Sequence, residues 1–230
     1  MPSKDLVENM KEDIMAGDLH IHVCVLGHVQ TNCYILSHKR TKEAIVIDPA
    51  DQGNVIIDYI HREDLKVKAI LLTHGHFDHI LAAKEVSKEL NVKIYANKKE
   101  KELLNDSSMN YSKMAGCDYT LQLEDMLEDG QIIHMAGFTI KVIYTPGHTI
   151  GGTCYYFDNE KVLFSGDTLF HETIGRTDLP TGDSKSLISS IKEKLMVLEN
   201  EVLVYPGHGD STSIGYEREF NEYLYVDGLK

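Results

Sequence analysis

The amino-acid sequence predicts an α+β fold in which two packed β-sheets are covered on their outer faces by helices. Each half of the 230-residue chain starts with short strand-like runs and continues with strand–helix units, a pattern typical of layered sheets and helices. No linker, low-complexity segment or short tandem repeat separates the halves. We therefore predict a polar leader at residues 1–18 and a single domain over residues 19–230, long enough to bury a stable core.

Composition narrows the class of protein. The chain carries 23 basic and 36 acidic residues, a net charge of −13, which disfavours binding to the phosphate backbone of nucleic acids. It contains no apolar run of about twenty residues and no signal-peptide pattern, so we expect a cytoplasmic protein without a membrane partner. Its four cysteines form no Cys-x-x-Cys pair and are expected to be free, buried thiols. The expected partner is a small-molecule substrate, and the oligomeric state is left open.

Strands and amphipathic helices alternate in the first half of the chain. Alternating or apolar runs predict strands at residues 19–26, 31–37, 44–48, 67–72 and 92–96. Apolar residues at helical spacing predict helices over residues 54–63 and after Asp78. We interpret residues 97–119 as a charged helix and a loop that borders the active site. His20 and His22 share a strand face, which we interpret as solvated rather than as a metal-binding pair.

The second half of the chain has a similar order of predicted strands and helices. Strands are predicted at residues 131–135, 139–145, 153–158, 162–165 and 201–205. Asp183 or Ser184 is predicted to cap a helix whose apolar stripe consists of Leu187, Ile191, Leu195 and Leu198. Residues 214–226 are predicted to form a closing helix whose core face consists of Tyr216, Phe220 and Tyr223 or Leu224.

Four potential metal ligands lie within six residues, directly after the buried strand predicted at 67–72. Alternate side chains of an extended segment share a face, so His74, His76 and Asp78 can converge. His79, at the start of the next helix, can reach the same space. Three imidazoles and one carboxylate suit Zn²⁺ or Fe²⁺, whereas Mg²⁺ and Ca²⁺ prefer oxygen ligands. The cluster therefore predicts a transition-metal site.

Three later residues each follow an apolar strand and a glycine: His148, Asp167 and His208. A glycine allows a sharp turn at a strand end, where active sites on sheet scaffolds gather. The total of five histidines and two aspartates suits two metals, with Asp167 as the best-placed bridge. Two dications would lower the pKa of a bridging water and polarise a carbonyl, which favours hydrolysis. Asp48 has two open interpretations: it caps a turn, or it accepts a hydrogen bond from a ligand.

These motifs resemble the metallo-β-lactamase superfamily over nearly the whole chain. The run His74-Gly75-His76-Phe77-Asp78-His79 matches its H-x-H-x-D-H motif, and the three later residues match its remaining ligands in order. Within the superfamily the chain is most similar to the glyoxalase II group, the hydroxyacylglutathione hydrolases, in the stretches 30–34, 47–49, 145–149 and 165–170. It is similar to a short form of that group, because it lacks the C-terminal helical region that supplies basic residues for glutathione.

The resemblance implies an αββα sandwich of two mixed β-sheets with a dimetal site at one sheet edge. It implies that His74, His76 and His148 hold one divalent ion, that Asp78, His79 and His208 hold the other, and that Asp167 bridges them. Zinc is expected, with iron or manganese as alternatives, and Asp78 and Asp167 are the predicted catalytic carboxylates. The implied reaction is attack of a metal-bridging hydroxide on the carbonyl of a small acyl-thiol ester.

Other activities stay open on the same fold. A persulfide dioxygenase with one Fe²⁺ shares the first motif and a loop like Gly175-Arg176-Thr177-Asp178. Lactone or phosphodiester hydrolysis is also compatible, since the loops around a shared dimetal core set specificity. Arg176 itself has two interpretations, because it can meet an acidic substrate or pair with Asp178 to shape the loop.

Overall fold

The computed structural model describes residues 10–123 and 125–225, which form two β-sheets with helices outside them. The first sheet has seven strands in sequence order: β1 Met10–Ala16, β2 Leu19–Leu26, β3 Thr31–His38, β4 Glu43–Ile47, β5 Lys66–Leu71, β6 Lys93–Asn97 and β7 Met126–Leu127. Its first four strands are antiparallel, and β4 to β7 run parallel. Parallel neighbours need crossover connections, which the helices α1 Gly53–Arg62 and α3 Ala83–Leu90 provide.

The second sheet has six strands in the order β15-β14-β11-β10-β9-β8. Their bounds are β8 Ile132–Met135, β9 Phe138–Tyr144, β10 Thr153–Phe157, β11 Val162–Gly166, β14 Leu203–Pro206 and β15 Thr212–Ser213. A small hairpin of β12 Leu169–Phe170 and β13 Thr173–Ile174 follows β11. The remaining α-helices are α2 Phe77–Ile80, α4 Lys101–Asn105, α5 Ser184–Ser190 and α6 Ile214–Phe220. A 3₁₀ turn, Lys98–Glu100, precedes α4, and a π-helical turn, Ile191–Leu195, follows α5.

Three buried clusters define the layers of the molecule. Residues of one strand alternate between them: in β3, Tyr34 and Leu36 enter the cluster between the sheets, whereas Cys33 and Ile35 pack under the helices α1 and α3. In the second sheet, Tyr155 faces the first sheet and Tyr156 faces α5. Both sheets are therefore covered on both faces. The predicted fold of two mixed sheets flanked by helices is confirmed.

Two tyrosines link the sheets at the end where the predicted ligands lie. Tyr34 in the first sheet donates a hydrogen bond to the carbonyl of Pro206 in the second sheet, at 2.5 Å. Tyr155 in the second sheet donates to the carbonyl of Leu72 in the first sheet, at 2.7 Å. Both phenols are buried, so these hydrogen bonds are not exposed to competing water.

The domain starts earlier along the chain than predicted. Residues Met10–Ala16, assigned to a polar leader, form the edge strand β1 and pair antiparallel with β2. Asp13 of this strand accepts a hydrogen bond from the Nδ1 atom of His22 at 2.7 Å. The ring of His22 also stacks on Tyr59 of α1, with centroids 3.6 Å apart, and the residue is buried. The prediction of a solvated face was wrong for His22, because β1 and α1 cover that face. Residues 1–9 lie outside the described residues.

The closing helix is shorter than predicted and packs on a different face. Helix α6 ends at Phe220, and a 3₁₀ turn follows at Glu222–Leu224. The predicted core aromatics are exposed, by 36% for Tyr216 and 50% for Phe220. Glu217 is buried instead, and its carboxylate accepts hydrogen bonds from the Thr212 hydroxyl, the Glu172 backbone amide and the Asn221 side-chain amide. The aromatic spacing was therefore misleading, because polar contacts turn the helix. Val226 lies outside the described residues.

Smaller features follow the predictions more closely. Asp183 caps α5, since its Oδ1 atom accepts a hydrogen bond from the amide of Ser186 at 2.7 Å. All four cysteines are free; Cys117 is partly exposed, while Cys24, Cys33 and Cys154 are buried. In the part of the chain that the structure describes, no helix has the length and apolar character needed to cross a membrane.

We expect the substitution Tyr155→Phe to lower the free energy of unfolding by about 1–2 kcal/mol, because it leaves the buried carbonyl of Leu72 without this donor. Urea denaturation of the purified protein measures this change. Tyr223→Phe is the matched control, since that side chain is 46% exposed and its substitution should change stability by less than about 0.5 kcal/mol. Equal effects of the two substitutions would contradict a structural role for the Tyr155 hydrogen bond.

Candidate metal centre

The seven predicted ligands come from the ends of strands in both sheets. His74 and His76 follow β5, while Asp78 and His79 lie in the short helix α2. The others follow β9, β11 and β14 of the second sheet: His148, Asp167 and His208. Five of the seven line a cleft of about 500 Å³, namely His76, Asp78, His148, Asp167 and His208. The structure therefore brings all the predicted site residues to one edge of the sandwich.

His74, His76 and His148 form the first group of potential ligands. One ligand atom of each lies within 4.8 Å of the others, and all three residues are buried. The Nε2 atom of His148 is 2.9 Å from the Nδ1 atom of His76. The Nδ1 atom of His148 is 2.8 Å from the carbonyl of Arg176, an acceptor that keeps a proton on Nδ1. This contact leaves the Nε2 lone pair of His148 pointing at the group.

Asp78, His79 and His208 form the second group, again with ligand atoms within 4.8 Å of one another. The Oδ2 atom of Asp78 is 3.2 Å from the Nε2 atom of His208 and 3.5 Å from the Nε2 atom of His79. Asp78 also accepts a hydrogen bond from the hydroxyl of Thr31, at 3.0 Å. That hydroxyl, on the first residue of β3, fixes the orientation of the carboxylate.

Asp167 lies between the two groups. Its Oδ1 atom is 3.4 Å from the Nε2 atom of His79, and its Oδ2 atom is 3.5 Å from His148 and 3.6 Å from His208. Burial raises the pKa of Asp167, but the imidazoles, chiefly His79, outweigh burial and hold it well below its usual value. Asp167 is therefore a carboxylate in contact with both groups, as a bridging ligand must be.

Several buried polar atoms in the centre have no hydrogen-bond partner among the described residues: the Nε2 atoms of His74, His76 and His79, and Oδ1 of Asp167. An unpaired buried polar atom is costly, so such a cluster is rare without a ligand. Burial, reinforced by the neighbouring His79, lowers the pKa of His74 well below its usual value, which favours the neutral, metal-binding form. The donor set and its orphaned atoms fit a pair of divalent transition-metal ions.

Asp48 accepts a hydrogen bond from a ligand of the second group, which decides between a turn cap and a ligand-orienting acceptor in favour of the acceptor. Its Oδ2 atom accepts hydrogen bonds from Nδ1 of His79 at 2.9 Å and from the Thr73 hydroxyl at 2.6 Å. Its Oδ1 atom accepts from the Thr73 amide at 2.8 Å. Asp48 lies near enough to His74 and His79 to form a third possible group. Because both its oxygens already have donors, we assign Asp48 to orienting His79, whose Nε2 atom then faces Asp78 and Asp167.

Two glycines allow the close approach of the ligand loops. A Cβ atom at Gly207 would lie 2.2 Å from Oδ1 of Asp167 and 2.6 Å from the ring of His79. Gly147 has a φ of +139° and a Cβ atom there would lie 2.2 Å from the backbone nitrogen of Leu187. Any side chain at either position would displace a ligand or the helix α5, which explains the glycines before His208 and His148.

Glu100 is a buried residue of the site that the sequence analysis missed. Its Oε1 atom accepts hydrogen bonds from the amide of Gly151 at 2.8 Å and from the hydroxyl of Thr149. The backbone amide of Gly75, in the loop between His74 and His76, also lowers the pKa of this carboxyl. Glu100 thus ties the loop of His74 and His76 to the loop of His148. Burial raises its pKa to about 7, although these hydrogen bonds lower it. Its neighbours in sequence are lysines, so nothing in the sequence indicated burial.

Tyr111 lines the cleft from the loop that follows α4, as predicted for residues 97–119. Its backbone has a φ of +67°, which is strained for a bulky residue. The flanking Asn110 and Ser112 are fully buried, and the carbonyl of Asn110 accepts a hydrogen bond from the amide of Phe77 at 2.9 Å. These contacts hold the Tyr111 ring 6.4 Å from the ring of His76.

Arg176 is on the rim of the same cleft and is paired with Asp178. Its Nε and terminal nitrogen atoms each donate to one Asp178 oxygen, both at 2.7 Å. Arg176 is also among the residues that line the cleft, so the pairing with Asp178 and a place beside the substrate are compatible. The two interpretations of Arg176 are therefore not exclusive.

Comparison with known proteins agrees with this geometry. The family model of the metallo-beta-lactamase superfamily matches residues 26–208. The hydroxyacylglutathione hydrolase GloC of Haemophilus influenzae is 34% identical over 209 residues, covering 90% of this chain and 98% of GloC. The chain belongs to the metallo-beta-lactamase superfamily, and its intact His/Asp groups assign it to the metallo-hydrolases of that superfamily.

Solved structures support the same assignment. BLEG-1, a B3 metallo-beta-lactamase, superposes with a TM-score of 0.85 at 39% identity and covers 89% of this chain and 99% of its own. TTHA1623, solved in a di-iron-bound form, superposes with a TM-score of 0.78 at 32% identity and covers 88% of this chain and 99% of its own. The similar proteins thus include one that holds two metal ions.

We expect Asp48→Asn to weaken metal binding by about 10- to 100-fold, because the amide cannot hold the proton of His79 as a carboxylate does. Competition with a chromogenic chelator measures the affinity. Asp58→Asn, an exposed change on α1, should leave the affinity unchanged. Wild-type affinity in Asp48→Asn would show that His79 needs no orienting carboxylate.

Glu100 should make stability depend on pH. Its pKa of about 7, above the usual 4.5, means that the folded protein keeps a proton that the unfolded chain loses. Its contribution to the free energy of unfolding is therefore present below about pH 4.5 and decreases as the pH rises towards 7. We expect Glu100→Gln to gain stability relative to the wild type over this range, measured by denaturation at several pH values. A difference that does not change with pH would contradict the raised pKa.

Proposed function

We propose that this chain is a dimetal thioesterase that hydrolyses small acyl-thiol esters, with zinc as the metal and the cytoplasm as its location. The observation that carries the proposal is the position of Asp167, within 3.6 Å of ligand atoms from both His/Asp groups. A carboxylate that contacts two metal groups is suited to a pair of ions that act on one substrate. The name of the relative GloC supports a thioester as the substrate.

The chain contributes orientation and electrostatics to this chemistry. Two divalent ions at the site would polarise a carbonyl and lower the pKa of a water molecule towards neutrality. Residues that donate or accept hydrogen bonds to the ligands fix the orientation of those ligands. Asp48 orients His79, the carbonyl of Arg176 orients His148, and the hydroxyl of Thr31 orients Asp78. Ligands held in this way need little reorganisation during the reaction.

The walls of the cleft suit a small substrate that has both apolar and negatively charged groups. Val29, Phe77, Phe170 and Leu179 give apolar surface on both sides of the ligands. Among the described residues that line the cleft, Arg176 is the one arginine and no lysine is present. Its side chain can form an ion pair with a carboxylate of an acidic thiol such as glutathione. The volume of about 500 Å³ lies in the range of small-molecule sites, about 300–1,000 Å³.

We expect Asp167→Ala to reduce kcat/KM for a cleaved thioester by at least about 100-fold and to lower the metal content from about two ions per chain to about one. Metal content is measured by inductively coupled plasma mass spectrometry. Hydrolysis is measured by the release of free thiol from S-lactoylglutathione and related thioesters. Asp58→Ala is the control, since it removes an exposed carboxylate on α1. Unchanged turnover in Asp167→Ala would overturn the dimetal assignment.

The same preparation separates the alternative activities. Oxygen uptake with glutathione persulfide, together with one iron per chain, would identify a persulfide dioxygenase instead. Cleavage of lactones or phosphodiesters without cleavage of any thioester would keep the dimetal centre and reject the thioester substrate. The proposal predicts thiol release and no oxygen uptake.

A further inference from the structure

A second cavity, of about 420 Å³, lies next to the metal cleft. Val29, Phe77 and Asp78 line both spaces, so they form the boundary between them. Asp78 is also a predicted metal ligand of the second group. The second cavity therefore starts beside a metal ligand, close to where a group attached to a carbonyl at the metal centre would lie.

The walls of this cavity are mostly apolar. Leu26, Leu81 and Ala115 contribute aliphatic surface, and Val29 at its edge is 49% exposed. Half-exposed apolar surface gains free energy when a ligand covers it. The loop after α4 thus borders both spaces, with Tyr111 in the metal cleft and Ala115 in the second cavity.

Charge distinguishes the two spaces. The described residues that line the second cavity include Asp51, Asp78 and His28, and no lysine or arginine. Asp78 would face a metal ion as its ligand, so Asp51 is the carboxylate that repels an acidic ligand there, and no guanidinium or ammonium group in the lining offsets it. The metal cleft instead contains Arg176 on its rim. An acidic thiol is therefore favoured on the side of Arg176, and an uncharged apolar group is favoured in the second cavity.

We propose that the second cavity binds the acyl chain of the substrate, and that it selects uncharged aliphatic acyl groups longer than acetyl. This inference rests on the proposed thioesterase activity, because it assigns the acyl group and the thiol of one thioester to different parts of the site. The ligands line the metal cleft, and one of them, Asp78, also lines the second cavity. A thioester with its carbonyl at the ligands would then direct its acyl chain past Asp78 and its thiol towards Arg176.

A series of glutathione thioesters with straight acyl chains of two to eight carbons tests the inference. Because each buried methylene contributes favourably, kcat/KM should rise about threefold per added methylene until the cavity is filled. The substitution Ala115→Trp should fill the cavity and lower the ratio of kcat/KM for the hexanoyl ester to that for the acetyl ester by at least about tenfold. A flat profile in the wild type, or an unchanged ratio in Ala115→Trp, would overturn the inference.

Met114→Trp is the matched control. This neighbour on the same loop is 76% exposed and lines neither space, so the ratio should stay within about twofold of the wild type. An equal loss in both variants would show that the loop is disturbed in general and would count against the cavity.

A binding measurement separates this inference from the proposed activity. Hexanamide is uncharged, has no thioester and can be titrated into the purified protein while NMR shifts are followed. If no thioester is cleaved, the thioesterase proposal fails, but hexanamide binding that weakens at least tenfold in Ala115→Trp still supports an apolar subsite. Absent binding, or equal binding to both proteins, would overturn the subsite.

Discussion

The site depends on hydrogen bonds that join the two sheets where their ligand-bearing strands end. Each sheet supplies a buried tyrosine that donates to a carbonyl just before a ligand of the other sheet, through Tyr34 to Pro206 and Tyr155 to Leu72. Two backbone contacts lie beside them, from the amide of Asn32 to the carbonyl of Gly207 at 2.7 Å and from the amide of Thr153 to the carbonyl of Thr73 at 2.9 Å. Ligands of the first sheet thus keep a fixed distance from those of the second.

This constraint explains how so many polar groups can be concentrated in a buried place. Five histidines and two aspartates at a sheet edge would be costly alone, since several of their atoms have no protein partner among the described residues. Asp48 and Glu100 compensate part of this cost by orienting His79 and joining the ligand loops. Binding of two cations would compensate the remaining cost of burying these polar atoms. Stability and metal binding are therefore coupled in this fold.

Sequence reasoning worked where a residue's role follows from its local context. An apolar strand followed by Gly and a ligand, as at Gly147 and His148, indicates both the strand end and the chemistry. It failed where a distant segment decides the environment. Glu100 lies among lysines but is buried against a loop about fifty residues away, and His22 is covered by β1 and α1. The aromatics of α6 share helical spacing with a core stripe, yet polar contacts of Glu217 turn them outward.

Anomalous X-ray diffraction from crystals grown with zinc tests most directly whether the seven ligands form one two-metal site. We expect two anomalous peaks, one among His74, His76 and His148 and one among Asp78, His79 and His208, with Asp167 in contact with both. A single peak, or a peak coordinated by Asp48 in place of Asp167, would contradict this expectation.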